Sequence, residues 1–148
     1  RSAQTASKEA AMLILKQEDY QKILEHARTG LPNEACGLLG GYTNEDGSQV
    51  ITDVYLLRNV DESREHFSMD PKEQFAAVKD IRGKGRELLG NFHSHPESPS
   101  RPSEEDIRLA YDSKIHYLIL SLMEEGNPVL NSFHIEKGAV TKETLEIQ

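Results

Sequence analysis

Apolar residues along the chain fall into short alternating runs broken by two clear helical spacings. Met12-Leu13-Ile14-Leu15 reads as a short strand. From Gln17 to Thr29 the apolar positions are Tyr20, Ile23, Leu24 and Ala27, the spacing of a one-sided helix, and Gly30 and Pro32 stop it. Ala35 to Tyr42 is small, apolar and glycine-rich, which suits a close-packed buried strand. Asn44 to Ser48, with Asp46-Gly47 inside it, reads as a hairpin turn, and Val50 to Leu57 as the returning strand. Asn59 to His66 is polar and predicts a loop. Asp70-Pro71 opens a second helix, with Asp70 as N-cap, Pro71 at the first position and Glu73 close behind. Phe75, Val78 and Ile81 are its expected buried stripe, and Gly83 and Gly85 end it.

Glu87 to His95 reads as a strand. Pro96 to Pro102 holds three of the six prolines and predicts an irregular loop. Ser103 to Ser113 predicts a short helix with Ile107 and either Ala110 or Tyr111 inward. Ile115 to Met123 is nearly continuous apolar, as in a central strand. Glu124 to Pro128 is a turn. Val129 to Glu136 and Ala139 to Ile147 predict a closing hairpin around Lys137-Gly138. Three helices interleaved with about six to eight strands make an α/β or α+β domain over residues 12–148. No repeat, low-complexity tract or internal boundary interrupts it. Residues 1–11 are small and polar, and Met12 to Leu15 is too short for a signal-peptide apolar region. They read as a disordered arm, an expression remnant or the cut end of something longer.

Composition narrows the function. At 148 residues the chain can bury a substantial core. Its 17 basic and 25 acidic residues leave a net charge of −8, which disfavours nucleic acid as a partner. No apolar run approaches the roughly 20 residues of a membrane helix. The single cysteine, Cys36, allows no internal disulfide and fits a reducing, cytoplasmic setting. Flanked by glycine in an apolar strand, it reads as a buried inert thiol.

The informative chemistry lies in His93-Ser94-His95-Pro96 and Ser103-Glu104-Glu105-Asp106. Two residues apart on a strand end, His93 and His95 point to one side. The proline loop can fold the first turn of the next helix, with Asp106, back over them. Two imidazoles and a carboxylate form a three-ligand set, and zinc is the first metal it suits. Such a site activates water and polarises a carbonyl, and hydrolysis also needs a carboxylate to move the proton. Spacing alone leaves Glu34, Glu87 and Glu97 open for that task. Ser103 is near enough to Asp106 to bond a developing oxyanion. Taken alone, the same segment reads first as an ordinary capped helix start, with Ser103 as N-cap and acidic residues favoured by the helix dipole, and one hydroxyl can cap and still face the site. His26, His66, His116 and His134 are scattered and read as packing or surface histidines. Arg101 and Lys84-Gly85-Arg86 read as solvated loop charges.

The spacing H-x-H-x7-S-x-x-D, joined to the upstream Glu34-Ala35-Cys36-Gly37, resembles the signature of the JAMM (MPN+) metallopeptidases. The resemblance runs from about Met12 onward and includes His26-Ala27-Arg28, Pro32-Asn33, Phe67-Ser68-Met69-Asp70 and His116-Tyr117-Leu118-Ile119. Within the family the chain is most similar to small bacterial members that hydrolyse sulfur-carrier-protein–cysteine conjugates. The resemblance implies a single-domain MPN-like fold, a mixed β-sheet flanked by about three helices. It implies one Zn2+ on His93, His95 and Asp106, Glu34 as general acid/base, and Ser103 supporting the tetrahedral intermediate. No ligand position is substituted, unlike the catalytically dead scaffold members. The inserts that shape ubiquitin-chain specificity in eukaryotic relatives are absent. The implied reaction is hydrolysis of the amide bond after the Gly-Gly tail of a ubiquitin-like or sulfur-carrier protein. Asn59 to Met69, with Asn59, His66, Phe67 and Met69, is the expected part of the tail groove, where an extended tail can add to a sheet edge. The competing readings are removal of ubiquitin-like modifiers from lysine, a non-catalytic MPN interaction module, and a zinc nucleobase deaminase, whose paired cysteines are missing.

Overall fold

A computed structural model describes residues 12–148. The expected arm over residues 1–11 lies outside the described residues. The element order is β1 Leu13–Leu15, α1 Gln17–Gly30, β2 Cys36–Thr43, β3 Gln49–Leu57, α2 Pro71–Gly83, β4 Glu87–His95, α3 Glu104–Arg108, β5 His116–Ser121, β6 Val129–Glu136, β7 Ala139–Glu143 and β8 Leu145–Ile147. All eight strands form one mixed sheet in the order β7-β6-β5-β4-β2-β3-β1-β8. The pairs β4–β5, β1–β3 and β1–β8 are parallel and the others antiparallel.

Alternation along the strands sends side chains to two faces. On one face Ile23, Leu24 and Ala27 of α1 pack on Leu39, Ile51, Leu89, Phe92, Leu118 and Leu120. Each fully buried Leu, Ile or Phe there contributes about 1.5–3 kcal/mol relative to exposure. The other face carries two smaller clusters. Cys36, Leu38 and Leu57 lie under Ala77 of α2. Ile119, Phe133 and Ile135 lie under Ile107 and Ala110. Between these clusters the middle of β4 is left uncovered by either helix, and that gap positions the site.

Local chemistry explains most of the boundaries. The Asp70 carboxylate accepts from the backbone N–H groups of Lys72 and Glu73, and Pro71 follows it, as expected at that helix start. In the β2–β3 turn, Asp46 accepts from the Ser48 backbone N–H and Gly47 takes φ of +92°. Glycine suits β2 because a Cβ on Gly37 would fall 2.2 Å from both the Phe92 ring and the Tyr55 carbonyl.

Three expectations fail. Phe75 is 71% exposed, and the buried face of α2 runs through Ala77 and Ile81, with Val78 half-buried. At 100° per residue Phe75 lies about 120° from Ile81, so a small alanine, not the aromatic, faces the sheet. The helix predicted over Ser103 to Ser113 ends at Arg108. The Asp112 carboxylate then accepts from the Lys114 N–H, and the Asp112 backbone exchanges bonds with the Tyr117 hydroxyl. That turn chemistry replaces the last helical turn. Ala110 packs inward, whereas Tyr111 is 85% exposed. Finally, Ala139 to Ile147 is two strands. β7 pairs with β6, and after Thr144 the chain joins β1 at the far end of the sheet order as β8. No glycine or proline marks the break, so alternation reads straight through it. The buried His116 braces the curl: its Nδ1 lies 2.7 Å from the Glu143 carboxylate of β7, which also accepts from Ser132.

Candidate metal centre

β4 carries His93 and His95 to its end on the face between the two small clusters. The proline loop returns the chain so that α3 starts over them. Ser103 caps α3: its Oγ accepts from the Asp106 backbone N–H at 3.0 Å, and Asp106 Oδ2 accepts from the Ser103 N–H at 2.9 Å. This reciprocal cap fixes the Asp106 carboxylate, so the capping reading and the ligand reading of the segment coincide. Asp106 Oδ2, His93 Nε2 and His95 Nε2 form a triangle with all three sides 3.1 Å.

That triangle is unusual chemistry for a protein interior. Two imidazole nitrogens facing one another cannot both keep lone pairs there without repulsion. A metal about 2.0–2.1 Å from each atom has tetrahedral edges of about 3.3 Å, close to these separations. The donors therefore fit a divalent ion, and they are the group of side chains among the described residues that could hold one. His95 Nδ1 donates to the Pro99 carbonyl at 2.8 Å, which leaves its Nε2 free as a ligand. His93 stacks on Phe67, with ring centroids 4.7 Å apart. Burial pushes His93 toward the neutral form. Burial opposes charge on Asp106 too, but the bonds from both histidines outweigh it and hold the carboxyl well below its usual range.

The β2–β4 pairing puts Cys36 opposite His93 and Gly37 opposite Phe92. The register continues one step past β2: the Ala35 N–H donates to Ser94 Oγ at 2.8 Å and the Ser94 N–H to the Ala35 carbonyl at 2.9 Å. One further step brings Glu34 opposite His95. Glu34 is only 4% exposed, and its Oε1 has no hydrogen-bond partner among the described residues. Burial pushes its carboxyl up to about 8, against the pull of His95. Of the other two acidic candidates, Glu87 sits at the far end of β4, where it accepts from Thr43. Eight residues of strand put it roughly 26 Å from His95. Glu97 is exposed and paired with Arg64 at 3.4 Å.

The segment from Asn59 to Met69 is a pinned loop. The Asn59 amide donates to the carbonyls of Glu34 (2.9 Å) and His66 (3.2 Å) and accepts from the N–H groups of Asp61 and Ser68. Its side chain thus faces main chain on all sides, and it also holds Glu34 in place. Phe67 and Met69 pack on the cluster under α2 and, with His66, line a cleft of about 250 Å³ that runs from His93 and Asp106. Asn59→Ala is expected to cost about 2–3 kcal/mol, because several buried partners lose their bonds. Amide exchange at Asp61 and Ser68 should quicken; unchanged protection there would contradict the pinning role.

Sequence reading missed Asn91 and Ser94. Asn91 lies in the floor of the cleft with Oδ1 buried and unpartnered among the described residues. Strand period carried the signal, since positions 91, 93 and 95 share a face. Cys36 is fully buried, and desolvation pushes its thiol up to about 12, as suits an inert group. His26 bridges the carbonyls of Cys36 and Leu57, a packing role. No helix among the described residues is long and apolar enough to cross a membrane.

Comparison with known proteins agrees with this architecture. The CysO-cysteine peptidase of Mycobacterium tuberculosis is 27% identical over 136 residues, covering 92% of this chain and 91% of that protein. The desampylase of Haloferax volcanii is 33% identical over 117 residues, covering 76% and 82%. A solution structure of a Desulfitobacterium hafniense protein superposes with a TM-score of 0.84 at 52% identity, covering 93% of each chain. The family described as prokaryotic homologs of the JAB domain matches residues 16–136, and the chain belongs to that family.

Proposed function

We propose that the protein is a zinc-dependent peptidase that hydrolyses the amide bond following the Gly-Gly tail of a ubiquitin-like or sulfur-carrier protein. One observation carries this reading: the three-donor triangle of His93, His95 and Asp106 has a buried carboxylate with a free oxygen, Glu34, opposite His95. The relatives named as a CysO-cysteine peptidase and a desampylase support the substrate class.

His93, His95 and Asp106 would hold the metal. Bound there, zinc supplies a Lewis acid that polarises the scissile carbonyl and lowers the pKa of water. Glu34 takes a proton from the attacking water at its free Oε1 and returns it to the leaving nitrogen. In the metal-free protein burial raises its pKa to about 8, and the positive charge of bound zinc would lower it toward neutrality, where both transfers are feasible. Ser103 Oγ accepts the Asp106 N–H, so its own hydroxyl proton stays free to bond the carbonyl oxygen as charge develops. Ser94 and Asn59 hold Glu34 through the peptide that joins it to Ala35, Asn59 donating to its carbonyl and Ser94 Oγ accepting from its N–H. Of the four residues expected to meet the tail, we assign His66, Phe67 and Met69 to contact and Asn59 to positioning. A fully buried lone cysteine suits a reducing compartment, and we place the protein in the cytoplasm.

The test uses the zinc-loaded protein and two substrates: a carrier joined through its terminal glycine to cysteine, and the same carrier joined to a lysine side chain. Mass spectrometry is expected to show free carrier ending in a Gly-Gly carboxylate from the cysteine conjugate. Preferential cleavage of the lysine conjugate would move the reading to modifier removal. Zinc bound without cleavage of either would leave an interaction module.

A further inference from the structure

The assignment of Glu34 gives the site a direction. A group that returns a proton to the leaving nitrogen lies on the leaving-group side, so the acyl part of the substrate extends the other way. That way leads past His93 and Asp106 into the cleft between the clusters of α2 and α3. Its walls are mostly apolar, with Phe67 and Met69 on one side and Leu109 and Ile135 on the other. Its volume of about 250 Å³ admits a short extended segment, not a folded carrier.

The cleft floor holds a polar group that nothing among the described residues satisfies. Asn91 Oδ1 is buried without a hydrogen-bond partner among the described residues: Leu38 across β2 and Tyr117 across β5 make no bond to it, and His93 Nδ1, two residues on along the same face, is unpartnered as well. Buried acceptors are normally paired; Asn91 as a whole is half-buried and lines the cleft, so a turn of its amide presents Oδ1 to a ligand that supplies the donor. A carboxamide carries a donor and an acceptor side by side, the complement of a peptide group. Alternating strand positions put Asn91 on the same face as His93, about 6.6 Å farther along β4, which is two residues of extended chain.

We propose that Asn91 is a specificity-determining residue that reads the tail's main chain, pairing its amide with a peptide group two to three residues upstream of the scissile bond. The inference rests on the reading of the site as a tail-cleaving centre. A main-chain contact at that depth favours residues without bulky side chains beside it and is indifferent to the carrier's folded part.

The experiment measures binding of a synthetic hexapeptide ending in Gly-Gly to the zinc-loaded protein by calorimetry. A set of analogues replaces each backbone N–H in turn by an ester oxygen. Asn91→Leu is expected to weaken binding of the parent peptide about ten-fold, the usual effect of one buried hydrogen bond. One ester, at the second or third residue from the end, should weaken the wild-type protein similarly and leave Asn91→Leu unaffected. Asn91→Ala carries the same comparison should the leucine variant not fold. Equal binding by wild type and variant, or losses that simply add at every ester position, would overturn the role of Asn91. If the wild-type protein meanwhile binds the peptide and releases carrier, only this inference falls. A wild-type protein that neither binds the peptide nor cleaves a conjugate overturns the tail-cleaving reading with it.

Discussion

Asp106→Ala is expected to abolish stoichiometric zinc binding, with affinity falling by more than about 100-fold, since even outer partners of a metal site cost 10–100-fold. Elemental analysis of purified protein should find about one zinc per wild-type chain and none in this variant or in His95→Ala. The two variants fail differently. Alanine at 106 also removes the acceptor of the Ser103 N–H and with it half of the α3 cap. His95→Ala leaves the cap intact and loses only the imidazole and its bond to the Pro99 carbonyl. Asp106→Asn separates the two duties: an asparagine oxygen can still accept from Ser103, but it brings no charge to the metal. Lost zinc, with melting near the temperature of metal-free wild type, is the expected behaviour of Asp106→Asn. Full retention of zinc by Asp106→Ala and His95→Ala would sink the three-ligand site.

Glu34→Gln should keep zinc and lose hydrolysis, with kcat lower by about 10²–10⁴-fold, the range for a missing general base. A second readout needs no substrate. In metal-free protein the Glu34 carboxyl has its pKa raised from about 4.5 to about 8 by burial. Between those values the folded state holds a proton that the unfolded state has released, so stability falls as pH rises through that window and levels off above it. Glutamine is neutral throughout and removes the dependence. Metal-free wild-type and Glu34→Gln proteins should therefore melt together near pH 5, and the variant should be several degrees more stable at pH 8, at roughly 2–4 °C per kcal/mol for a chain of this size. Parallel melting curves at both pH values would show that Glu34 is not a buried acid, whatever its effect on turnover.

Local signals in the sequence located most elements because they are short-range. Asp70-Pro71, Asp46-Gly47 and the apolar spacing of α1 each act within a turn of chain, and each appears where it was read. The failures lie where tertiary structure decides. Phe75 is the bulkiest apolar residue of α2, yet the space above β2 suits alanine, with Ile81 already reaching the backbone at Gly40. The break at Thr144 depends on sheet curvature, which alternation cannot encode. The site divides in the same way. His93, His95 and Asp106 were legible from chemistry and spacing. Glu34 was not separable from Glu87 and Glu97 until the β2–β4 register brought it opposite His95, and only a family resemblance singled it out beforehand. Asn91 was invisible because its one distinguishing property is an unmet hydrogen bond.

The pairing of β8 with β1 bears on how the chain reaches this structure. Leu13 lies beside Leu145, so the first and last strands described meet only after nearly everything between them is in place. The β2–β3 and β6–β7 hairpins can close early, because their loops are short. β1 can add to β3 soon after, but its outer edge stays open until the C-terminal strand arrives. For that interval β1 itself is the outer strand on that side, the place the three-residue β8 takes in the finished sheet, and an open edge is the feature that recruits other chains. Aggregation during synthesis or refolding is therefore a hazard set by how late β8 docks, while His93, His95 and Asp106, on β4 and α3, can be brought together before it.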